Sequence, residues 1–266
     1  MKLLSTKTVG GGVGLVAVDL LHKKEKVCKE LITYFLKHYR KKGISIASLY
    51  PFRPDFYKKM GFGYGTKVNQ YRIKPESLPK GDSKKNTRFL GEDDREALLE
   101  CYNRLMDRTS GMIEKSDFDL QRIFDQKNRI VAYEKDGKVR GYIIFTFQPT
   151  KKNNFLMNDL VVKEFIYESR EALMELMTFL HTQLDQVNDV ILNTQEEYFH
   201  YLLIDPRSST GNILPPAYHE TNIQGVGIMY RVINVKGIFN IFNKHNFGNQ
   251  SCNLKITARD TFLKKK

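Results

Sequence analysis

Three lysines in four positions, within His22-Lys23-Lys24-Glu25-Lys26-Val27-Cys28, are the residues here whose type and spacing point most directly to chemistry. Like charges set so closely repel one another unless they are solvated or face an anion. They stand at the start of a helical stretch. The first-turn N–H groups of a helix have no intrahelical acceptor, and the macrodipole adds positive potential there. A basic turn that opens a helix is therefore a physical site for phosphate. His22 fits a base or a phosphate ligand, and equally a surface histidine at a helix start. Cys28 reads as a small buried residue rather than a nucleophile, because no His–Asp pair accompanies it.

The elements that must position this turn follow from the hydrophobic pattern. Residues 13–19 (VGLVAVD) read as a buried strand, apolar on both faces. From His22 to Lys42 the period becomes helical: Val27, Leu31, Phe35 and Tyr39 form a stripe, with Lys23, Lys24, Lys37 and Lys41 largely away from it. Gly43 ends the helix, a strand follows at 44–50, and Pro54 and Asp55 start a short helix that stops at Gly61. Strand–helix–strand with a long connection implies two parallel strands joined by a right-handed crossover. A further strand (68–74) leads to the linker-like KPESLPKGDSKKN. Beyond it the pattern predicts helices at 91–108 and 117–125, then strands at 129–134 and 139–148 joined by a turn at Lys135-Asp136-Gly137-Lys138. A strand (155–162), a helix (167–184) carrying Met174 and Met177 as packing or surface residues, a strand (188–193) and a short helix complete this stretch.

Sliding the chain by 145 residues places Leu15-Val16 on Leu160-Val161, and Glu30-Leu31-Ile32-Thr33-Tyr34 on Glu175-Leu176-Met177-Thr178-Phe179. The strand at 44–50 falls on 189–195, so element order and period agree as well as letters, which points to duplication of one fold. The basic turn is not duplicated: its counterpart is Tyr167-Glu168-Ser169-Arg170-Glu171. The second copy keeps the packing and loses the site.

Charge agrees with this asymmetry. Residues 1–80 hold 17 Lys and Arg against 5 Asp and Glu, a net of +12, whereas residues 81–266 hold 26 against 25. Nucleic acid, a membrane surface or a phosphate-rich cofactor would each suit the first eighty residues. No nucleic-acid-binding module is present, and the lysines cluster at one helix start. Gly12-Val13-Gly14-Leu15-Val16-Ala17 matches the dinucleotide GxGxxA pattern, but the strand reading there, with the helix starting only near His22, argues against a nicotinamide enzyme. MKLLSTKTVGGGVG has no sustained apolar stretch of the kind a signal peptide carries, and no apolar run comes near the ~18 residues of a membrane span. Three scattered cysteines, Cys28, Cys101 and Cys252, form no CxxC pair and argue against a disulfide framework or a zinc site. The expectation is a cytoplasmic protein that uses no metal.

The stretch VAVDLLHKKEKVCKELITYFLKHYRKKG, followed by IASLYPFRPDFYKKMGFGYG, resembles the acetyl-CoA-binding half of GNAT N-acetyltransferases, in particular the Eis (enhanced intracellular survival) family. That resemblance implies a mixed α/β architecture of tandem GNAT folds. Residues 1–80 would be a partial first domain, 86–225 a second, degenerate one, and 226–266 the beginning of a sterol-carrier-like α+β domain. It implies acetyl-CoA as donor, a primary amine such as an aminoglycoside or a lysine as acceptor, and a homo-oligomer, with neither nucleic acid nor a membrane as partner. Val16, Ala17 and Val18 would hold the acetyl-pantetheine arm, and Lys24, Glu25, Lys26, Val27, Cys28 and Lys29 the pyrophosphate, with Phe52 and Arg53 as a second contact. Tyr57 would be the general acid that protonates the leaving thiolate. Two residues depart from the family's turn, Arg/Gln-x-x-Gly-x-Gly/Ala: Lys26 stands at the first glycine and Cys28 at the last position. A lysine serves there if its φ stays negative. No base is assigned, since the family uses its own C-terminal carboxylate. The opening of the first unit would precede Met1, so this chain alone is expected to be inactive. An acyl-CoA-binding or scaffold protein without catalysis is the alternative reading.

Overall fold

The computed structural model describes residues 1–151 and 154–263. In chain order the elements begin with β1 (Lys2–Leu3), β2 (Thr6–Lys7), β3 (Gly11–Val13), α1 (Val27–Lys41), β4 (Ile46–Leu49), α2 (Pro54–Lys58), β5 (Gly63–Tyr64) and β6 (Lys67–Ile73). Then come β7 (Thr87–Phe89), α3 (Arg95–Met106), α4 (Asp117–Ile123), β8 (Arg129–Lys135), β9 (Lys138–Lys151), β10 (Asn154–Tyr167), α5 (Arg170–His181) and β11 (Val187–Thr194). Last are β12 (Ile213–Leu214), β13 (Tyr218–His219), β14 (Ile223–Val226), β15 (Met229–Val232) and α6 (Val235–Phe242). They divide into two compact units. Met1–Thr66, Thr109–Ile113 and Val226–Lys266 form the first; Lys67–Arg108 and Glu114–Gly225 form the second.

In the first unit a four-stranded sheet runs in the order β3-β4-β15-β5. β3 and β4 are parallel, pairing Gly11 with Ala47, Gly12 with Ser48 and Val13 with Leu49, while β15 is antiparallel to both β4 and β5. This is the expected strand–helix–parallel strand unit, with two corrections. The strand predicted over 13–19 ends at Val13, because its ladder partner β4 ends at Leu49, just short of Pro51, which has no N–H to give. Beyond Val13 the chain leaves the sheet, and Leu15 is exposed with a φ of 53°. The buried stripe of α1 is also turned from the one predicted: Ile32, Phe35 and Leu36 are buried, whereas Leu31 is 47% exposed. Apolar residues at both 31 and 32 let two overlapping stripes fit the sequence, and the sheet face takes the one through Cys28, Ile32, Leu36 and Tyr39. Full burial of Ile32 and Leu36 contributes about 1.5–3 kcal/mol each. The 226–266 stretch, expected to open a third domain, supplies β15 to this sheet; its residues 264–266 lie outside the described residues.

The second unit is built on a seven-stranded sheet in the order β14-β6-β11-β10-β9-β8-β7. β10 and β11 run parallel, and β10–β9, β9–β8, β8–β7 and β11–β6 are antiparallel. The β8–β9 turn has Asp136 and Gly137 at φ 55° and 68°, both left-handed as a tight two-residue hairpin requires. Leu160 and Val190 on the strands and Leu176 and Met177 on α5 are fully buried in one core. β10–α5–β11 thus repeats the order and the parallel pairing of β3–α1–β4. Among the described residues no helix is long and apolar enough to cross a membrane.

Candidate functional site

The residues singled out in the sequence meet in the first unit around one cleft of about 480 Å³. Val16, Ala17 and Val18 form one wall, outside the paired strands. Lys24, Lys26, Val27, Cys28 and Lys29 form the start of α1, and Phe52, Arg53 and Tyr57 close the side made by the β4–α2 loop and α2. His22, Lys23 and Phe56 complete the lining. Glu25 does not line it; its carboxylate turns to His22, 3.0 Å from Nδ1, on the exposed side of the turn. The Arg53 guanidinium is paired with Asp55 at 2.7 Å.

The turn carries its basic residues in an unusual backbone. Lys24 and Lys26 both have a φ of 67°, and Lys26, with ψ 5°, is the N-cap of α1 in the left-handed conformation. The negative φ set as the condition for a lysine at this position is not met at Lys26. The lysine adopts the geometry that a glycine would take most readily, and for a residue with a Cβ this costs about 1–2 kcal/mol. No side chain caps α1, and the first helical bond runs from the Glu30 N–H to the Lys26 carbonyl at 3.0 Å. The uncapped first turn of α1 thus lies at a cleft lined by Lys23, Lys24, Lys26 and Lys29, an arrangement whose electrostatics favour an anion.

Tyr57 lines the same cleft. Its ring is held edge-on by Phe56 and Phe62, at centroid distances of 5.2 and 6.1 Å, and the side chain is 6% exposed. Its hydroxyl faces the Cys28 thiol. Burial, then the neighbouring sulfur, pushes the Tyr57 phenol above its ordinary value. Burial likewise raises the Cys28 thiol, with the Tyr57 hydroxyl working the other way. Both groups hold their protons at neutral pH, so the cleft holds a protonated phenol beside a protonated thiol.

The equivalent place in the second unit is closed. Val161 and Val162, the counterparts of Val16 and Ala17, pair in the ladder with Ile191 and Leu192. Ser169 caps α5, its hydroxyl accepting from the Ala172 N–H at 3.2 Å. The Glu168 carboxylate takes Arg104 at 2.8 Å and Arg140 at 3.3 Å. Burial works against that carboxylate, but the bond and charge of Arg104 outweigh it and hold Glu168 below the usual range. Tyr167 donates to Glu196 across the space beyond the paired strands.

Residues 1–65 match one family model and residues 105–232 another, and both models describe an acetyltransferase (GNAT) domain. The chain carries GNAT acetyltransferase domains. Solved structures agree on the GNAT fold. One is a GCN5-related N-acetyltransferase from Anabaena variabilis, with 18% identity and a TM-score of 0.70 over 89% of this chain and 58% of that one. A probable N-acyltransferase from Enterococcus faecalis is 16% identical, with a TM-score of 0.68 over 89% of this chain and 58% of that one. Eis1 from Mycobacterium abscessus is 19% identical, with a TM-score of 0.67 over 87% of this chain and 58% of that one. The chain therefore spans 58% of the length of these three structures. No curated protein matches the sequence. In GNAT terms the second unit keeps strand, helix and strand while filling the space between them. Phe56 is the lining residue that the sequence reading left out; its adjacency to Tyr57 at the start of α2 was the available signal.

Proposed function

We propose that the protein is an Eis-type N-acetyltransferase that carries the acetyl group of acetyl-CoA to a primary amine, of the aminoglycoside or lysine kind, by direct attack in a ternary complex. The observation that supports this most is the pairing, in one cleft, of an uncapped basic helix start with a buried, protonated tyrosine. The thioester substrate needs both: a phosphate site and a proton for the departing thiolate.

On this reading the first-turn N–H groups of α1 and the ammonium groups of Lys23, Lys24 and Lys26 bind the pyrophosphate, and Val16–Val18 offer unpaired backbone groups to the pantetheine arm. A backbone N–H there polarises the thioester carbonyl. Holding donor and amine together supplies much of the acceleration. Tyr57 passes its proton to the sulfur as the C–S bond breaks, and the raised phenol keeps that proton available throughout the neutral range. The amine nitrogen loses its proton to a base that is not assigned here.

The test is calorimetric titration of acetyl-CoA into the chain, combined with transfer of labelled acetyl groups to a panel of aminoglycosides and lysine peptides. Transfer is assayed in this chain and in one lengthened at both ends. Donor binding with label on primary amines supports the proposal. Donor binding with no transfer in either chain would replace it with the non-catalytic acyl-CoA-binding reading.

A further inference from the structure

A second cavity of the first unit, about 680 Å³, shares no lining residue with the cleft. Four cationic side chains reach it from separate places in the chain: Arg40 in the last turn of α1, Arg231 on β15, Lys236 in the first turn of α6, and Arg259 in the tail beyond α6. Asp260 is the carboxylate in the lining, and Arg231 takes it, with both oxygens within 2.9 Å of Nη2. Arg40, Lys236 and Arg259 have no ion-pair partner among the described residues. Arg231 is 5% exposed, and its Nε and Nη1 are buried without a hydrogen-bond acceptor among the described residues. Buried N–H groups of a charged side chain are ordinarily paired. The Asp260 ion pair accounts for Nη2, and the Phe262 ring, 5.3 Å from the guanidinium carbon, covers one side; neither accounts for the other two nitrogens. At α6 the Asn234 Oδ1 accepts from the Gly237 N–H at 3.0 Å, which leaves the first-turn N–H groups of Val235 and Lys236, both in the lining, outside any helical bond.

We propose that this cavity binds a small multivalent oxyanion, a ligand that carries two or more phosphate or carboxylate groups. One such group meets the open first turn of α6 and the Lys236 ammonium. Another meets the guanidinium groups of Arg40 and Arg259, whose planar forks suit phosphate and carboxylate alike. Arg231 stands behind them as a buried charge that Asp260 satisfies only at Nη2. The arrangement is not what folding asks for. A single arginine at the end of α1 suits the helix dipole, but four cations gathered on one cavity repel one another unless an anion lies among them. Arg40 and Lys236 are also exposed, so the core does not depend on either. The inference is independent of the acyl-CoA reading, since the two sites have no residue in common.

The experiment titrates inorganic pyrophosphate and citrate separately into the whole chain by calorimetry at low salt, and into variants whose folding is checked by circular dichroism. At least one probe should bind, and the tighter of the two assigns the ligand to phosphates or to carboxylates. Arg40→Ala should weaken that binding about tenfold and Lys236→Ala about threefold, and the double change should remove it. Lys41→Ala, an exposed neighbour outside the lining, should change affinity by less than about twofold. Pyrophosphate also suits the start of α1, so each titration is repeated with Lys23/Lys24/Lys26→Ala, which should keep the binding that Arg40 and Lys236 supply. Binding of neither probe to the folded chain would overturn the inference. So would a loss in Lys41→Ala as large as that in Arg40→Ala, the mark of diffuse surface charge. Binding that survives the Arg40/Lys236 double change and disappears in the lysine triple variant would place the anion at α1 alone and overturn it too.

Discussion

At the start of α1 no side chain caps the helix, Lys26 sits left-handed at the N-cap, and the preceding residues Val16–Val18 lie outside the paired strands. At the start of α5 the Ser169 hydroxyl caps the helix, Glu168 is bound by Arg104 and Arg140, and the preceding strand stays paired through Val162. The two places have the same element order and the same parallel strands. They differ in whether the helix end is satisfied from within. A helix start that is left open and surrounded by ammonium groups is a less stable way to end a helix, and on the proposed reading its use is to receive an anion. On the proposed reading the same strand–helix–strand unit is a binding device in one unit and a packing device in the other.

The largest effect that would sharpen this comparison is expected from Tyr57→Phe. It keeps the ring between Phe56 and Phe62 and removes only the proton, so acetyl transfer should fall about 100-fold while donor affinity stays within about twofold. Kinetics alongside calorimetry separate the two quantities, and a large loss of donor affinity would mean that Tyr57 acts in binding. In the parent enzyme the rate should show an alkaline fall only above the ordinary tyrosine value of 10.0, because the phenol is raised, and Tyr57→Phe should abolish that fall. The linked stability has the same sign: Tyr57's contribution is complete below that value and is lost as pH rises through its folded one.

Next in size is the triple change Lys23/Lys24/Lys26→Ala. Donor affinity should weaken by about tenfold or more, with a shallower dependence on salt than in the parent. An unchanged affinity would show that the backbone of the turn does all the binding. Ser169→Ala is the matching change in the second unit. It should lower stability by about 1 kcal/mol in denaturant unfolding and leave acetyl-CoA affinity as it was.

The smallest and most discriminating change is Lys26→Gly. Relief of the left-handed φ should raise stability by about 0.5–1 kcal/mol, the greater freedom of glycine in the unfolded chain offsetting part of the gain. Donor affinity should drop by about threefold, as loss of one exposed ammonium would give. Thermal unfolding and titration of the same sample would then move in opposite directions. If both improve, Lys26 has no part in binding.

Much of this was legible from residue types. The basic turn before an apolar helix, the glycine stops at Gly43 and Gly61, and the contrast between Lys23–Lys29 and its counterpart in the second copy were readable because each depends on local chemistry. Gly61 has a φ of 82°, and a Cβ there would come within 2.5 Å of Arg231 Nη1. That second reason for a glycine could not be read locally, since Arg231 is 170 residues away in sequence. The end of β3 at Val13 was hidden for a similar reason: an apolar run states what a strand prefers, and only the length of its neighbour decides where pairing stops. Facing direction failed at α1, where Leu31 and Ile32 are equally apolar and the sheet chose between them. The left-handed lysines were not legible either, because that conformation is imposed by the turn and the residue type argues against it.

The central claim is that a donor binds the open helix start and not the capped one. Hydrogen exchange measured by mass spectrometry, with and without acetyl-CoA, reads both places in one experiment. The account predicts slower exchange in peptides covering Val16–Val18 and Lys24–Glu30, and no change over Ser169–Leu173. Slowing over Ser169–Leu173, or no slowing over Lys24–Glu30 under saturating donor, would contradict it.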